Sequence, residues 1–404
     1  MTETIHTLVI GGGQAGVATS THLQKLGVPH LVLERARIAE RWRTERWDSL
    51  VANGPVWHDR FPDAEFDGID PEVFAPKETV AAYFETFART RDLPVRTGVA
   101  VTGLERHGDG FRATTADGVI EARNVVVATG PFQTPVIPTV VTDPGISQMH
   151  SNAYRNPGAL PKGAVLVVGA GSSGAQIAEE LVRAGRRVFL SVGPHDRPPR
   201  RYRGQDFVWW LGKLGKWDLK APTPGTEHVT IAVSGAYGGH TMDFRRLAGL
   251  GVTLLGRAGA YRDGLLQIAP DLATNIANGD RNYLSVLDEA DAYAKAQGLD
   301  LPEEPEARHF MPLPASVTDP ILALDLQAEG ISTIIWATGF KLDFGWIGID
   351  IFREDGRPRH VEGVSELAGL YFVGLPWLSC RGSSFIWGAW RDAERLAAHI
   401  AARP

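Results

Sequence analysis

The chain has 404 residues but little cysteine, because Cys380 is the single one. An intramolecular disulfide needs two cysteines, so a disulfide-stapled fold is excluded and a reducing compartment is favoured. The first residues lack the positive start and the longer apolar core of a signal peptide, so we expect a cytoplasmic protein. No stretch approaches the roughly 18 apolar residues that a membrane helix needs, so we expect no membrane partner.

Blocks of like charge are also absent. The formal net charge is −6, and charged residues make up 22% of the chain. This distribution gives no electrostatic support to a nucleic-acid partner or to an anionic membrane surface. Hydrophobic residues reach 44%, which excludes a disordered or fibrous chain. The length predicts two or three domains of about 150 residues each.

Glycine, in contrast, is abundant at 45 residues, and two glycine-rich segments repeat one pattern. Residues 7–27 read TLVIGGGQAGVATSTHLQKLG, and residues 164–185 read AVLVVGAGSSGAQIAEELVRAG. Each is a β-branched apolar run, then G-x-G-x-x-G, then a segment with helical periodicity. That order is typical of a dinucleotide-binding loop, in which the glycines let the backbone approach a pyrophosphate at a helix N-terminus. The sequence therefore predicts two such loops, with the glycines Gly11, Gly13 and Gly16 in the first and Gly169, Gly171 and Gly174 in the second.

The strands that come after the two loops differ. After the first loop, the strand His30–Leu33 ends at Glu34, about where a carboxylate can bind a ribose hydroxyl. After the second, the strand Arg187–Val192 carries Ser191 where an acid would stand, and several arginines come next. This pattern favours a 2′-phosphate, hence NADPH over NADH, although NADH tolerance stays open. A solvated surface run is the alternative for each of these arginines: Arg197, Arg200, Arg201 and Arg203.

The rest of the chain indicates two interleaved domains. A strand at Asn124–Val127 leads into an Ala-Thr-Gly turn at 128–130 and a proline-rich connector over 131–161. The strand Ser332–Trp336 leads into a second Ala-Thr-Gly turn at 337–339, and helices are expected at Asn282–Gln297 and from about Ala389 onward. Residues 205–279 allow no assignment. We predict an α/β fold with a discontinuous first domain, 1–158 plus 281–404, and an inserted second domain, 159–280.

Two glycine loops, two Ala-Thr-Gly turns and the C-terminal strand YFVG resemble the flavin-dependent two-dinucleotide oxidoreductases over essentially the whole chain. The resemblance implies two Rossmann-like domains, with FAD in the first and the NADP cofactor in the inserted one. The disulfide-reductase branch of that group passes electrons to a redox-active cysteine pair. Because Cys380 has no second cysteine in this chain, that branch is excluded unless a partner supplies thiols.

Three stretches are similar to the class B flavoprotein monooxygenases, and in particular to the flavin-containing monooxygenases. They are ATGF at 337–340, ERWRTERWDSL at 40–50 and LVANGPVW at 50–57. The last resembles the Asn-Gly-Pro stretch whose asparagine sits over the flavin, which makes Asn53 the catalytic candidate; a simple turn residue is the alternative. The family fingerprint is met only in part. His150 and Tyr154 keep its spacing, but Gly145 is one residue too far upstream and Asp143 replaces a phenylalanine.

The resemblance implies that NADPH reduces FAD and that a C4a-hydroperoxyflavin then oxygenates a soft nucleophile, an amine nitrogen or a sulfide sulfur. Two other enzymatic interpretations remain, a Baeyer–Villiger-type or 2-oxo-acid oxidation and a flavin reductase that passes electrons to a partner. A non-catalytic nucleotide sensor is a fourth interpretation. Dioxygen and a small molecule are the expected partners, a homodimer is expected from the family, and no metal site is predicted.

The cofactor-binding candidates come from the loops, from the segment beside the flavin and from the C-terminal helix. That helix would direct the positive end of its dipole at the flavin and favour the anionic reduced ring by about 0.3–1 kcal/mol. Of Trp42 and Trp47, at least one is expected beside the ring. The full set is Gly11, Gly13, Gln14, Ala15, Gly16, Glu34, Arg35, Trp42, Trp47, Val101, Thr129, Gly130, Gly169, Gly171, Ser172, Ser173, Gly174, Ser191, Arg197, Ser384, Phe385 and Trp387.

Overall fold

The computed structural model describes residues 2–221 and 230–403. The first sheet has nine strands, and its central strands are parallel, with Thr2–Ile10 between His30–Glu34 and Gly118–Val127. These three strands contain the apolar runs that the sequence predicted at 7–10, 30–33 and 124–127, and the first and third strands begin earlier than predicted. The remaining strands are Val95–Thr97, Val101–His107, Gly110–Thr115, His360–Val361, Val364–Ser365 and Leu370–Phe372.

The second sheet has five parallel strands, and Ala164–Val168 lies at its centre. Its strand order is Val252–Leu255, Val188–Ser191, Ala164–Val168, Ile331–Trp336 and Ser147–His150. Smaller pairings involve Thr134–Pro135 with Phe340–Lys341, Arg201–Tyr202 with Gln205–Asp206, and a three-stranded sheet of Ala258–Arg262, Leu265–Ile268 and Ala323–Asp325.

In each sheet, the central strand leads into the helix that the glycine pattern predicted. The α-helices are Gln14–Lys25, Glu40–Thr44, Lys77–Thr90, Ser172–Arg183, Phe207–Lys213, Phe244–Gly249, Leu272–Gln297, Ala315–Thr318 and Ile386–Ala401. Short 3₁₀ helices lie at Pro157–Ala159, Lys216–Asp218, Ala236–Gly238, Pro305–Arg308 and Arg381–Ser384.

Two helix starts differ from the sequence prediction. The helix expected at Asn282–Gln297 begins at Leu272, since the buried Leu272 and Ile276 continue its apolar side toward the N-terminus. The C-terminal helix begins at Ile386, ahead of the expected Ala389. No helix among the described residues is long and apolar enough to cross a membrane.

The strand pairing bears on where the chain divides. Ile331–Trp336 hydrogen-bonds to Ala164–Val168 in the second sheet, although the sequence placed it with 281–404 in the first domain. Ser147–His150 also belongs to the second sheet, ahead of the predicted boundary at 159. We therefore propose that the inserted domain, which we call the second unit, extends to include both strands. We call the rest of the chain the first unit. The predicted ranges also take in residues 1, 222–229 and 404, which lie outside the described residues.

The core of the first unit contains a histidine that should make folding acid-sensitive. His22 is 5% exposed, stands edge-on to Trp390 at 4.4 Å between ring centroids, and has its pKa lowered to about 4 by burial. The unfolded chain binds this proton near pH 6.5, so stability is full above that pH and falls as pH drops toward 4. At pH 4 the wild type should lose roughly 3 kcal/mol of unfolding free energy more than H22F, measured by urea unfolding at pH 7 and pH 4. Equal losses in both proteins would refute this.

Candidate active site

A large cavity lies at the carboxyl ends of strands from both sheets. Its volume is about 1090 Å³, and its wall includes residues from both glycine loops and from both Ala-Thr-Gly turns. In open α/β folds ligands bind outside the carboxyl ends of the strands. The position therefore agrees with that rule for each sheet, and one continuous space connects the two loops.

The first glycine loop has the shape of a phosphate cradle. A Cβ on Gly11, whose φ is +114°, would lie 2.6 Å from the Ala128 carbonyl oxygen, and one on Gly16 would lie 1.8 Å from the Gly11 oxygen. A Cβ on Gly13 would meet no atom of the described residues within 4 Å. Gly11 thus allows close approach to the neighbouring Ala-Thr-Gly turn and Gly16 allows the helix to pack against the end of its strand, whereas Gly13 leaves the loop open where a pyrophosphate would approach.

Acid and base side chains at this end of the cavity also fit a dinucleotide. The Glu34 carboxylate accepts hydrogen bonds from the Gly12 N–H at 2.6 Å and from the Ala36 N–H at 2.9 Å. Arg41 lines the same wall; burial lowers the pKa of its guanidinium, and its Nη1 has no hydrogen-bond partner among the described residues. A buried, unsatisfied guanidinium nitrogen beside an open glycine loop suits a phosphate ligand.

The second glycine loop repeats this geometry. A Cβ on Gly174 would lie 1.9 Å from the Gly169 oxygen, and one on Gly171 would make only an ordinary contact, 3.5 Å from Thr230 Cγ2. The Ser172 N–H and hydroxyl both donate to the Ile231 carbonyl at 2.8 Å. Thr230 and Ile231 form part of the wall at this end of the cavity.

Three of the four arginines after the second loop form ion pairs with carboxylates. Arg197 was predicted to bind the cofactor, but its side chain is 3% exposed, is ion-paired with Asp280 at 2.8 Å and is not part of the cavity wall. Arg200 pairs with Asp206, and Arg203 pairs with Asp291 at 3.1 Å. These guanidinium groups are held by carboxylates inside the second unit because later segments of the chain fold against them.

Among the described residues, Arg257 is the arginine that lines the cavity near the second glycine loop. It comes after the strand Val252–Leu255, which lies beside Val188–Ser191 in the sheet, and it packs against Gly193. Its Nε is 2.7 Å from an Asp271 oxygen, and its side chain is 63% exposed. The Ser191 hydroxyl donates to the Gly256 oxygen at 2.9 Å. The sequence missed Arg257 because only strand order brings it next to Ser191.

The Asn53 loop lies between the two units and faces the cavity. The Asn53 side-chain oxygen accepts from Gln176 Nε2 at 2.8 Å, and its backbone oxygen accepts from Arg200 Nη1 at 2.6 Å. The next residue, Gly54, donates its N–H to Asp59 at 3.0 Å. Gln176 and Arg200 belong to the second unit, so Asn53 is held from both sides. No local pattern in the sequence predicted the role of Gln176.

The C-terminal segment meets the cavity through the residues just before its helix. Ser384 and Phe385 line the wall, and the Ser384 oxygen accepts from Gln14 Nε2 at 2.8 Å. Trp387 was predicted to lie there too, but it is not part of the wall. Its indole packs against Gly382 and donates to His58 Nε2 at 3.0 Å. The turn from Ser384 into the helix at Ile386 directs it away.

Most of the other predicted residues line the cavity. Gly16, Arg197 and Trp387 do not, and Trp42 and Trp47 both do. His150 is 2% exposed and contacts the Gly339 oxygen at 2.9 Å and Asn152 at 3.0 Å, and burial lowers its pKa. The predicted residues that line the wall are Gly11, Gly13, Gln14, Ala15, Glu34, Arg35, Trp42, Trp47, Asn53, Val101, Thr129, Gly130, Gly169, Gly171, Ser172, Ser173, Gly174, Ser191, Ser384 and Phe385.

Known proteins are similar to this chain in sequence and in fold. Residues 8–203 match a family model described as pyridine nucleotide-disulphide oxidoreductase. A CzcO-like oxidoreductase of Geobacillus kaustophilus is 32% identical over 401 residues, 98% of each chain. The probable indole-3-pyruvate monooxygenase YUCCA1 of Arabidopsis thaliana is 31% identical over 422 residues, 97% of this chain and 89% of the relative. A flavin-containing monooxygenase from Stenotrophomonas maltophilia has the same fold, with a TM-score of 0.67, 18% identity and 99% coverage of each chain.

The predicted fold class is confirmed, because the parallel central strands of each sheet belong to a Rossmann-like unit and the solved relative has this architecture over its whole length. The relatives imply a flavin and a nicotinamide cofactor, with dioxygen and a small molecule as substrates. The chain belongs to the flavin-containing monooxygenase family and is a flavin-dependent monooxygenase.

Proposed function

We propose that this protein is an NADPH-dependent FAD monooxygenase that forms a C4a-hydroperoxyflavin and oxygenates a nitrogen or sulfur atom of a small molecule. The observation that supports this most is the continuous cavity, which joins the two glycine loops and has Asn53 in its wall. Two nucleotides bound at those loops would extend into one space. We also propose, from the family alone, that the protein is a homodimer.

Bound FAD would supply the redox and oxygen-activating chemistry, and the chain's residues bind, orient and exclude water. Gly13 and the helix Gln14–Lys25 would hold the FAD pyrophosphate, Arg41 would neutralise it, and Glu34 would accept from the ribose. Gly171 and the helix Ser172–Arg183 would hold the nicotinamide nucleotide. The Asn53 amide offers a neutral hydrogen bond and no acidic proton, which suits a reaction that must keep stray proton donors away.

One relative favours a second candidate, oxidation of a 2-oxo acid. YUCCA1, described as a probable indole-3-pyruvate monooxygenase, aligns with 97% of this chain at 31% identity. Indole-3-pyruvate is a 2-oxo acid, and its oxidation breaks a C–C bond. A product assay with a thioether, a tertiary amine and indole-3-pyruvate side by side separates this candidate from heteroatom oxygenation.

Rapid mixing tests the proposed function itself. The holoenzyme is reduced anaerobically with NADPH, mixed with oxygenated buffer and followed in the near ultraviolet. A long-lived oxygenated-flavin band, with sulfoxide or N-oxide formed when the substrate is added, supports the proposal. Immediate return of oxidised flavin together with stoichiometric hydrogen peroxide contradicts it and favours an electron-transfer reductase.

Arg257 is our candidate for the residue that distinguishes NADPH from NADH. A guanidinium beside the ribose site binds a 2′-phosphate by charge-assisted hydrogen bonds, each contributing about 1.5–3 kcal/mol. R257Q should therefore raise the KM for NADPH roughly 10- to 100-fold and leave the KM for NADH unchanged. Steady-state reduction rates with both nucleotides measure this.

Arg262 provides the matched control for R257Q. It ends the strand Ala258–Arg262 and is not part of the cavity wall, so R262Q should leave both KM values unchanged. If R257Q changes neither value, or changes both equally, Arg257 does not bind the 2′-phosphate.

A further inference from the structure

The side chain of Asn53 is held by a residue of the other unit. Gln176 lies on the helix Ser172–Arg183, just after the second glycine loop, and is 6% exposed. Its Nε2 is 2.8 Å from Asn53 Oδ1 and 2.7 Å from the Val233 backbone oxygen. Asn53 itself is exposed within the cavity. A buried amide of the nicotinamide-binding unit therefore contacts the catalytic candidate directly.

Hydrogen-bond chemistry allows one arrangement of these groups. The Val233 carbonyl can only accept, so Gln176 must turn its NH₂ group toward it. The same NH₂ group carries the second hydrogen that points to Asn53, so Asn53 must turn its oxygen toward Gln176. If the Asn53 amide were flipped, its NH₂ group would face the NH₂ group of Gln176. If the Gln176 amide were flipped, its oxygen would face the Asn53 oxygen. Asn53 Nδ2 is thus left facing away from Gln176, and it donates to no described residue.

The backbone on both sides of Asn53 is held as well. Arg200 Nη1 donates to the Asn53 carbonyl oxygen at 2.6 Å, and Asp59 accepts from the Gly54 N–H at 3.0 Å. Asp59 also accepts from His58 Nδ1 at 2.7 Å. His58 Nε2 must be unprotonated because the Trp387 indole at 3.0 Å can only donate. These contacts fix the loop, so the remaining freedom of Asn53 is the direction of its amide.

We propose that Gln176 is a positioning residue that makes Asn53 an obligate hydrogen-bond donor toward the cavity, where it binds an oxygen acceptor of the bound nicotinamide nucleotide. This inference rests on the proposed function, since it takes the cavity to hold that nucleotide. It also makes a contact between the two units part of the active site. A carbonyl or a ribose hydroxyl is an acceptor of the required class, whereas a group that can only donate cannot form a hydrogen bond with Asn53 Nδ2.

The test measures binding of NADP⁺ to the oxidised holoenzyme through the change in flavin absorbance, with NAD⁺ in a parallel titration. Q176M keeps the side-chain length and removes both donors, so it should weaken the Kd by about tenfold. N53D keeps the acceptor for Gln176 but presents a second oxygen to the cavity, so it should weaken binding more than N53A does. The control Q148M removes a donor to the Val141 oxygen outside the cavity wall and should leave the Kd unchanged.

A double-mutant cycle decides whether Gln176 acts through Asn53. If it does, Q176M adds no further loss of NADP⁺ affinity in the N53A background. Independent effects that multiply, or a Q176M protein with wild-type affinity, would overturn the inference. If Q176M does not fold, N53D decides: affinity equal to that of N53A or tighter would contradict a donor role.

The NADP⁺ titration tests the positioning role of Gln176, and the oxygenation assay tests the proposed function, so either claim can be refuted while the other stands. If the Kd pattern holds but no oxygenated product forms, the donor role of Asn53 stands and the proposed function fails. If product forms and the losses multiply, the proposed function stands and the positioning role of Gln176 is refuted.

Discussion

Gly171→Ala is expected to give a yellow protein that NADPH reduces at least roughly 100-fold more slowly than the wild type. The methyl group fits among the described residues, because the φ of Gly171 is −72° and the nearest of their atoms to an added Cβ is 3.5 Å away. It would occupy the space through which the backbone approaches the pyrophosphate, and a displacement of about 1 Å in a bound reactant can cost 100-fold in rate. Anaerobic stopped-flow reduction with NADPH, together with the flavin content of the purified protein, measures the effect.

Gly13→Ala is the matched variant in the first loop. The φ of Gly13 is −81°, and an added Cβ would meet no atom of the described residues within 4 Å. This protein should fold with a free energy of unfolding equal to the wild type or about 0.4–1 kcal/mol higher, because alanine restricts the unfolded chain. It should nevertheless be purified without flavin. If G171A loses flavin and G13A loses only reduction by NADPH, the assignment of the two loops is reversed.

The parts of the site that the sequence predicted are those with a local signal. A glycine loop needs a strand, a tight turn and a helix within about 30 residues, and both copies carry that order in consecutive residues. The structure brings Gly13 and Gly171 to one cavity. Glu34 was also predictable, because the length of one strand–helix–strand unit fixes the distance from the loop to the acid.

No local sequence pattern predicts the contacts between segments that are far apart in the chain. Arg197 looked free in the sequence because its carboxylate partner, Asp280, comes much later in the chain and meets it only in the fold. Arg257 becomes a neighbour of the second loop through sheet order alone. In the same way, Ile331–Trp336 joins the second sheet by pairing with a strand that lies far back in the sequence.

The C-terminal segment shows how a small error in a helix start changes the predicted site. Helical periodicity predicted the helix itself but placed its start near Ala389, whereas it starts at Ile386. Successive helical residues point about 100° apart, so a small shift decides which side chains face the cavity. Ser384 and Phe385 do so, and Trp387 binds His58 instead.

Glu34→Ala is expected to weaken FAD binding by roughly 100-fold. The Glu34 carboxylate, which we propose as the acceptor for the FAD ribose, also shapes the loop, because it accepts from the Gly12 N–H at 2.6 Å and from the Ala36 N–H at 2.9 Å. Its removal leaves two backbone donors without their partner, and each hydrogen bond to a charged group contributes about 1.5–3 kcal/mol. The Kd of FAD for the apoprotein, measured from the quenching of flavin fluorescence, reports the loss.

Two variants separate the charge of Glu34 from its shape and from a general effect on the sheet. E34Q retains one acceptor but cannot bind both N–H groups as a carboxylate does, so its Kd should lie between those of the wild type and E34A. E3Q removes a carboxylate from the same sheet, where Glu3 forms an exposed ion pair with Arg96 at 2.8 Å, and should not change the Kd. Exposed ion pairs contribute about 0–1 kcal/mol to stability. If E34Q binds FAD as weakly as E34A does, the negative charge of Glu34 contributes more to FAD binding than the number of hydrogen bonds that its side chain accepts.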